Sequence, residues 1–329
     1  MKGGPADSIP QIRAGSIYLD VYDKRAGDRW TDAEAEGACP PAELEVAFID
    51  SGALRFAGPR AMQRAMSDGV FLLRIPQWLD VCAGDEFAED FYQGPGRAPY
   101  GRFRDVGAGD LGDPLLGFHQ RVNQIEQFLL ERRLWTKTFP AEITELGEAL
   151  TRLSGTILGS VLTYVGIPET EWRQATGGCS HGLGSYHLTF NHYRPALQEI
   201  GLSSHKDDGF VTILRTTKGG LQVSRRDRWE SVPVDREYFV INFGLAMQIL
   251  TARSGKPVSA IMHRVTHQDD DRSSFGHFSS SRCELDNDDG IYEYLTGSGL
   301  RQVCTSRDLI ESNDQEIYEG TQKPESSSS

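Results

Sequence analysis

Apolar and polar positions recur in two different rhythms along this chain, and the change of rhythm divides it. Between Ile143 and Val165 the apolar residues Ile143, Leu146, Leu150, Leu153, Ile157, Val161 and Val165 return at three- and four-residue steps, which predicts one long amphipathic helix. Such a stripe must pack on something flat. From His187 to about Ser281 the chain changes to short strand-like runs separated by polar turns: HLTFNHY, FVTILRT, GLQVS, WESVPV, YFVINFG, MQILTA, SAIMHRV and SFGHFSS. Short strands with turn signals every 8–12 residues or so predict a sandwich or jelly roll.

Ahead of the helix, EVAFID (45–50) reads as a strand, PRAMQRAMSDG (59–69) as a helix closed by Gly69, and VFLLRIP (70–76) as a buried strand stopped by Pro76. Between Asp85 and Asp113 Gly and Pro accumulate in YQGPGRAPYGRFRDVGAGDLGD and no periodicity survives, so a long loop is expected there. IYLDV (17–21) reads as an edge strand in an otherwise irregular extension, and KPESSSS as a disordered end. The expected organisation is an irregular extension over 1–44 and a helical amino-terminal part over 45–180 that packs on a jelly-roll core over 181–295. A carboxy-terminal segment with a disordered tail over 296–329 completes it. The fold class is mainly β with flanking helices (α+β).

Composition narrows the partners. With 329 residues, 38% of them hydrophobic, the chain can bury a sizeable core. A formal charge of −13 leaves no basic surface for a phosphate backbone, so neither nucleic acid nor an anionic membrane is an expected partner, and a small molecule is. No run approaches the roughly eighteen apolar residues of a membrane span, and MKGGPADSIPQIRAG lacks the apolar stretch of a secretion signal; a soluble, cytoplasmic protein is expected. Five scattered cysteines without CxxC spacing speak against a disulfide framework and a thiolate zinc site. The oligomeric state is not indicated.

The candidate chemistry lies in SSHKDDGF (203–210). If this segment is extended, His205 and Asp207 project from one face and aim an imidazole and a carboxylate at one point. A third ligand is available in SAIMHRV, where His263 is an isolated histidine in an apolar run. Two histidines and a carboxylate on one face of an octahedral ion leave open positions for co-substrate and oxygen, the arrangement of non-haem Fe(II) oxygenases. A lone buried histidine is more often core than ligand, and H-x-D is weak by itself; a second copy, His267 with Asp269, lies in the charge run HQDDDR and reads as a solvated turn. His263 and His267 also mimic half of a zinc-protease helix, but Arg264 stands where its Glu is required.

Further residues change the weight of His263. Arg272-Ser273-Ser274 follows it closely, FNHYRP places Asn191 and Tyr193 upstream of His205, and GGLQV (219–223) precedes Trp229. In this combination the chain resembles the Fe(II)- and 2-oxoglutarate-dependent oxygenases of the isopenicillin N synthase-like family over roughly residues 45 to 295. It departs from that family after VINFG, where Leu245 replaces an Asp, and in TARSGKPV, which replaces a shorter turn.

The resemblance implies a distorted double-stranded β-helix core in which His205, Asp207 and His263 hold Fe(II). It implies that 2-oxoglutarate chelates that ion, with its far carboxylate on Arg272, Ser274 and Tyr193 and Asn191 near its metal end, and that O2 is the oxidant. Phe278 and Ser280, together with the loop containing Tyr100, Phe103 and Arg104, are the expected substrate contacts. That loop, or the segment after Tyr292, is expected to close over the substrate. The implied activity is oxidation of a small molecule in secondary metabolism, a natural-product intermediate, by hydroxylation or by desaturation or cyclisation. Two alternatives stand beside it: an iron oxidase of the same fold that uses no 2-oxoglutarate, and a non-catalytic jelly-roll binding module.

Overall fold

In a computed structural model of the chain, the alternating segment becomes two facing β-sheets and the long helix covers the back of the larger one. The structure describes residues 39–113, 115–121, 123–284 and 287–310. The strand expected at 17–21 and the carboxy-terminal tail lie outside these described residues.

Strands β1 (Val46–Asp50), β2 (Ala53–Phe56), β3 (Val70–Arg74), β4 (Gly117–Gln120), β5 (Ile125–Glu131) and β6 (Ser185–Tyr193) are followed by β7 (Leu202–His205), β8 (Val211–Thr216) and β9 (Leu221–Arg225). Then come β10 (Arg228–Ser231), β11 (Tyr238–Phe243), β12 (Met262–Val265) and β13 (Arg272–Ser280). The larger sheet has nine strands in the order β2-β1-β3-β11-β8-β13-β6-β5-β4, and the smaller has four in the order β10-β9-β12-β7. The larger sheet thus draws strands from both sides of the long helix in sequence. This is the double-stranded β-helix arrangement, with strands that are mainly antiparallel.

Side-chain alternation sends the two faces of the larger sheet into different cores. Phe71, Phe128, Phe190, Ile213, Ile241 and Phe275 face the helices, whereas Val70, Ile125, Tyr193 and Val240 face inward and meet Leu221, Val223, Ile261 and Val265 of the smaller sheet. The helices on the outer face are α1 (Ala61–Asp68), α2 (Cys82–Asp90) and α3 (Ala141–Val165). Helix α3 matches the periodic stretch, and its stripe from Ile143 to Val165 is buried. It stops at Gly166, whose left-handed φ of 90° lets its amide cap the last turn. Among the described residues no single helix is long and apolar enough to cross a membrane.

Two expectations are corrected. The stretch 85–113 is not a structureless loop: it contains most of α2 and a 3-10 turn at Gly101–Asp105. Its order comes from aromatic burial, with Phe87 in contact with Tyr100, Phe103, Phe128, Phe139 and Phe190 at centroid distances of 5.1, 4.7, 6.0, 5.5 and 4.2 Å. Helix α2 approaches so closely that a Cβ on Gly84 would lie 2.6 Å from Leu146 and 2.7 Å from Phe275. The run MQILTA is not a strand but belongs to helix α4 (Leu245–Thr251). Leu245, Ala246, Met247, Ile249 and Leu250 are all buried, and a short segment apolar on every side has no period to betray its state.

The outer face of β13 also carries a buried titratable group. His277 is wholly enclosed beneath α3, its Nε2 2.9 Å from Thr151 Oγ1. Burial, reinforced by His187 and Arg132, pushes its pKa down to about 3. The unfolded chain takes up this proton near pH ~6.5 and the folded one does not. Stability therefore falls as the pH drops from about 6.5 towards 3, by up to ~1.4 kcal/mol per pH unit from this group. Denaturation midpoints measured across that range should show the acid limb flattened in His277→Gln; an unaltered limb would place the acid sensitivity elsewhere.

Candidate metal centre and anion anchor

Strands β7 and β12 are antiparallel neighbours with His205 directly opposite His263. Strand β7 ends at His205, so Asp207 reaches the same point from the turn beyond it and not from strand alternation. Backbone hydrogen bonds fix that turn: Leu245 N–H donates to Asp207 O at 2.8 Å and Ala246 N–H to Asp208 O at 2.9 Å, so the free amides that open α4 hold the loop. Gly244 makes this junction sterically feasible, because a Cβ there would lie 2.4 Å from Gly209 O and 2.7 Å from Asp207 O.

The side chains of His205, Asp207 and His263 bring their ligand atoms within 4.8 Å of one another. Asp207 Oδ1 is 3.8 Å from His205 Nε2 and 3.7 Å from His263 Nε2. Each ring is oriented through its other nitrogen: His205 Nδ1 lies 2.9 Å from Ser203 O, and His263 Nδ1 lies 3.4 Å from Ile261 O. A carbonyl can only accept, so Nδ1 carries the proton and Nε2 offers its lone pair to the centre. Asp207 Oδ2 accepts from Thr212 Oγ1 at 2.7 Å, which leaves Oδ1 turned to the two imidazoles. Three lone pairs converging in this way fit a divalent transition-metal ion. Among the described residues this is the one such cluster. The other H-x-D pair is at the surface, where His267 Nε2 is 3.5 Å from an exposed Asp269 and the ring leans on Glu199 O.

A second feature sits further along the same interior. Arg272 is 1% exposed; its Nε donates to Gly219 O at 2.7 Å, its Nη2 donates to Thr216 Oγ1 at 3.0 Å, and its plane lies 4.5 Å from the Tyr193 ring centroid. Its Nη1 is buried without a hydrogen-bond partner, and among the described residues no carboxylate pairs with the guanidinium. A buried cation left in this state costs several kcal/mol unless an anion joins it. Ser274 follows on the same face, opposite Asn191. Asn191 donates to Ser274 Oγ at 3.4 Å and accepts from Gln127 at 3.0 Å. Thr216 and Gln127 carried no motif, and only strand register reveals them.

Phe278 is inward as well, in line with Thr212 on one side and His187 on the other, and Ser280 follows it. Tyr100 and Phe103 are corrected as substrate contacts. At 3% and 1% exposed they belong to the aromatic core on the helix-facing side of the sheet, turned away from the triad. Arg104 is spent on the same side, donating to Tyr92 O and lying over Phe118. This stretch is core and not a lid. The segment after Tyr292 pairs instead, as a hairpin of Gly290–Leu295 with Gly299–Thr305. His192 also faces outward, stacked on Tyr92 and held between Glu126 and Asp271. A cavity of about 350 Å³ bordered by Arg173, Gln174, Leu183, Arg282 and Tyr292 shares no residue with either feature.

Comparison with known proteins finds similarity to one family. The model of the 2OG-Fe(II) oxygenase superfamily matches residues 185–281, the segment that contains the triad and Arg272. Jasmonate-induced oxygenase 2 of Arabidopsis thaliana is 35% identical over 150 residues, which cover 44% of this chain and 38% of that protein. The 1-aminocyclopropane-1-carboxylate oxidase of Persea americana is 30% identical over 141 residues, covering 41% and 43%. The alignments thus span well under two thirds of these relatives. The crystal structure of JOX2 in complex with 2OG, Fe and JA superimposes with a TM-score of 0.58 at 21% identity, over 93% of this chain and 98% of the other. The superfamily consists of oxidoreductases that take Fe(II), 2-oxoglutarate and O2. Through residues 185–281 the chain is thus similar to the 2OG-Fe(II) oxygenase superfamily.

Proposed function

We propose that the protein is an Fe(II)- and 2-oxoglutarate-dependent oxygenase acting on a small organic molecule, a natural-product intermediate, by hydroxylation or by desaturation or cyclisation. The observation that carries this reading is the buried, anion-less Arg272 with its free Nη1, in the same interior as a converging His205, Asp207 and His263. In this reading the triad holds Fe(II), which when bound supplies the redox chemistry that couples O2 and 2-oxoglutarate to substrate oxidation.

The protein's own groups do the rest. Arg272 and Ser274 receive the far carboxylate of 2-oxoglutarate, a planar donor beside a hydroxyl. Tyr193 keeps the guanidinium plane in place from beneath, and Asn191, aligned by Gln127, contacts the co-substrate. Thr212 holds Asp207 in a single orientation. Phe278 and Ser280 border the substrate and limit the access of water. A small organic substrate is supported by JOX2, solved with JA, and by the rice dioxygenase whose structure is described as one for auxin oxidation.

The test is a substrate screen by oxygen uptake, with succinate quantified per substrate consumed. Equimolar succinate is expected. Turnover without succinate would overturn the proposal in favour of an iron oxidase independent of 2-oxoglutarate.

A further inference from the structure

The chain contains eight histidines, and seven of them have hydrogen-bond partners in the described structure. His205 and His263 lean on carbonyls, His119 meets Leu115 O, and His181 meets Ser180. His192 is held by two carboxylates, His267 by Glu199 O, and His277 by Thr151. The exception is His187, whose ring makes no hydrogen bond to any described residue.

Its position makes that exception meaningful. Strand register places Asn242, Thr212, Phe278, His187 and Glu131 side by side across the larger sheet, and all five point inward. Thr212 is the residue bonded to Asp207, so His187 stands in the same row as the triad's own support, with Phe278 between them. Space is available there. On β5, β6 and β13 the inward residues Leu129, Glu131, His187, Phe278 and Ser280 are only half-buried, while their outward neighbours Phe128, Leu130, Tyr186, Leu188, His277 and Ser279 are buried. The inner wall at this end therefore borders solvent-accessible space, a candidate pocket with apolar Leu129 and Phe278 and one imidazole that has no partner among the described residues.

We propose that His187 is a specificity-determining residue of this pocket, and that it selects substrates bearing a neutral hydrogen-bonding group, a hydroxyl, carbonyl or amide on an apolar skeleton, over carboxylic acids. The inference rests on the oxygenase reading above and names the substrate class for that site. The electrostatic surroundings support it. Burial holds the imidazole below its usual pKa against the pull of Glu131 and Asp113, so it presents one donor and one acceptor and no charge. Arg133, the cation acting on it, is already paired with Glu131 and with Asp113 at 2.5 and 2.9 Å. An incoming carboxylate would meet Glu131 beside His187, and among the described residues the cation acting on that ring, Arg133, is already paired.

The experiment uses three probes on one skeleton: cyclohexanol, cyclohexanone and cyclohexanecarboxylate. Each is titrated anaerobically into the protein loaded with Fe(II) and 2-oxoglutarate, and the perturbation of the visible charge-transfer band reports binding. The neutral probes should bind at least tenfold more tightly than the carboxylate. His187→Leu should abolish that preference with the band itself unchanged, and His187→Gln, which keeps a donor and an acceptor, should retain most of it. Tighter or equal binding of the carboxylate, no response to any probe, or an unaltered preference in His187→Leu overturns the proposal. A wild-type protein that forms no band at all instead removes the oxygenase reading on which it rests.

Discussion

Alanine at His205, Asp207 or His263 should abolish turnover and leave a folded protein, whereas alanine at His267 or Asp269 should do neither. The two H-x-D pairs are indistinguishable as strings but differ in surroundings. Asp207 and His263 are 7% and 6% exposed and converge with His205 within 4.8 Å, while Asp269 is open to solvent and the pair has no third ligand among the described residues. Losing a residue that merely orients a ligand costs about 10–100-fold in metal affinity, so losing a ligand itself should cost well over a hundredfold. Anaerobic Fe(II) titration in the presence of 2-oxoglutarate, followed by the visible band, separates the two groups of variants. In Asp207→Ala the Thr212 hydroxyl also loses its acceptor, a penalty of about 1–3 kcal/mol that remains compatible with folding. A His267 variant that lost the band, with a His205 variant that kept it, would move the metal site to the surface pair.

The second large effect is expected at Arg272. Among the described residues its Nη1 has no partner, so beyond the bonds to Gly219 O and Thr216 Oγ1 the loss in Arg272→Leu falls on whatever anion the guanidinium receives. Removing a charge-assisted contact and leaving a desolvated carboxylate behind costs on the order of 2–5 kcal/mol. The apparent affinity for 2-oxoglutarate should fall roughly thirty-fold or more, at about tenfold per 1.4 kcal/mol. Arg272→Lys should lose less, because charge survives while the planar fork that reaches Gly219 O and Thr216 does not. Fe(II) binding should be nearly unaffected in both. The decisive measurement is succinate formation across a 2-oxoglutarate titration; unchanged 2-oxoglutarate dependence in Arg272→Leu would mean that the anchor is another residue.

Legibility in the sequence followed the physics of each element. The long helix could be read because Ile143 to Val165 repeat a stripe that only a helix can bury on one side. Strands β6, β8, β11, β12 and β13 could be read because β-branched and aromatic residues cluster in them between polar turns. Helix α4 could not, since a segment buried on all sides has no polar face. Helix α2 was hidden by the Gly- and Pro-rich stretch that follows it, and Tyr100 and Phe103 looked like loop residues because aromatic packing leaves no trace of period. Within the site, His205, Asp207, His263 and Arg272 stood out because H-x-D, the later His and R-x-S occur together at a spacing that resembles a known family, although each is weak alone. Thr216, Gln127 and His187 did not, because their meaning depends on which strands are neighbours, a fact set by topology and absent from any local pattern.

The junction at Gly244 bears on how such a sequence can vary. This glycine is neither a ligand nor in a backbone conformation closed to other residues, since its φ of −103° is open to any of them. What forbids a side chain is the pair of carbonyls at 2.4 and 2.7 Å, one of which belongs to Asp207. In a saturation library Gly244 should therefore behave as a ligand does, tolerating essentially no substitution, although no chemistry is written on it. Neutral drift through this part of the chain has to pass around that position, and a search for functional residues by mutational intolerance alone would count it as a fourth member of the triad.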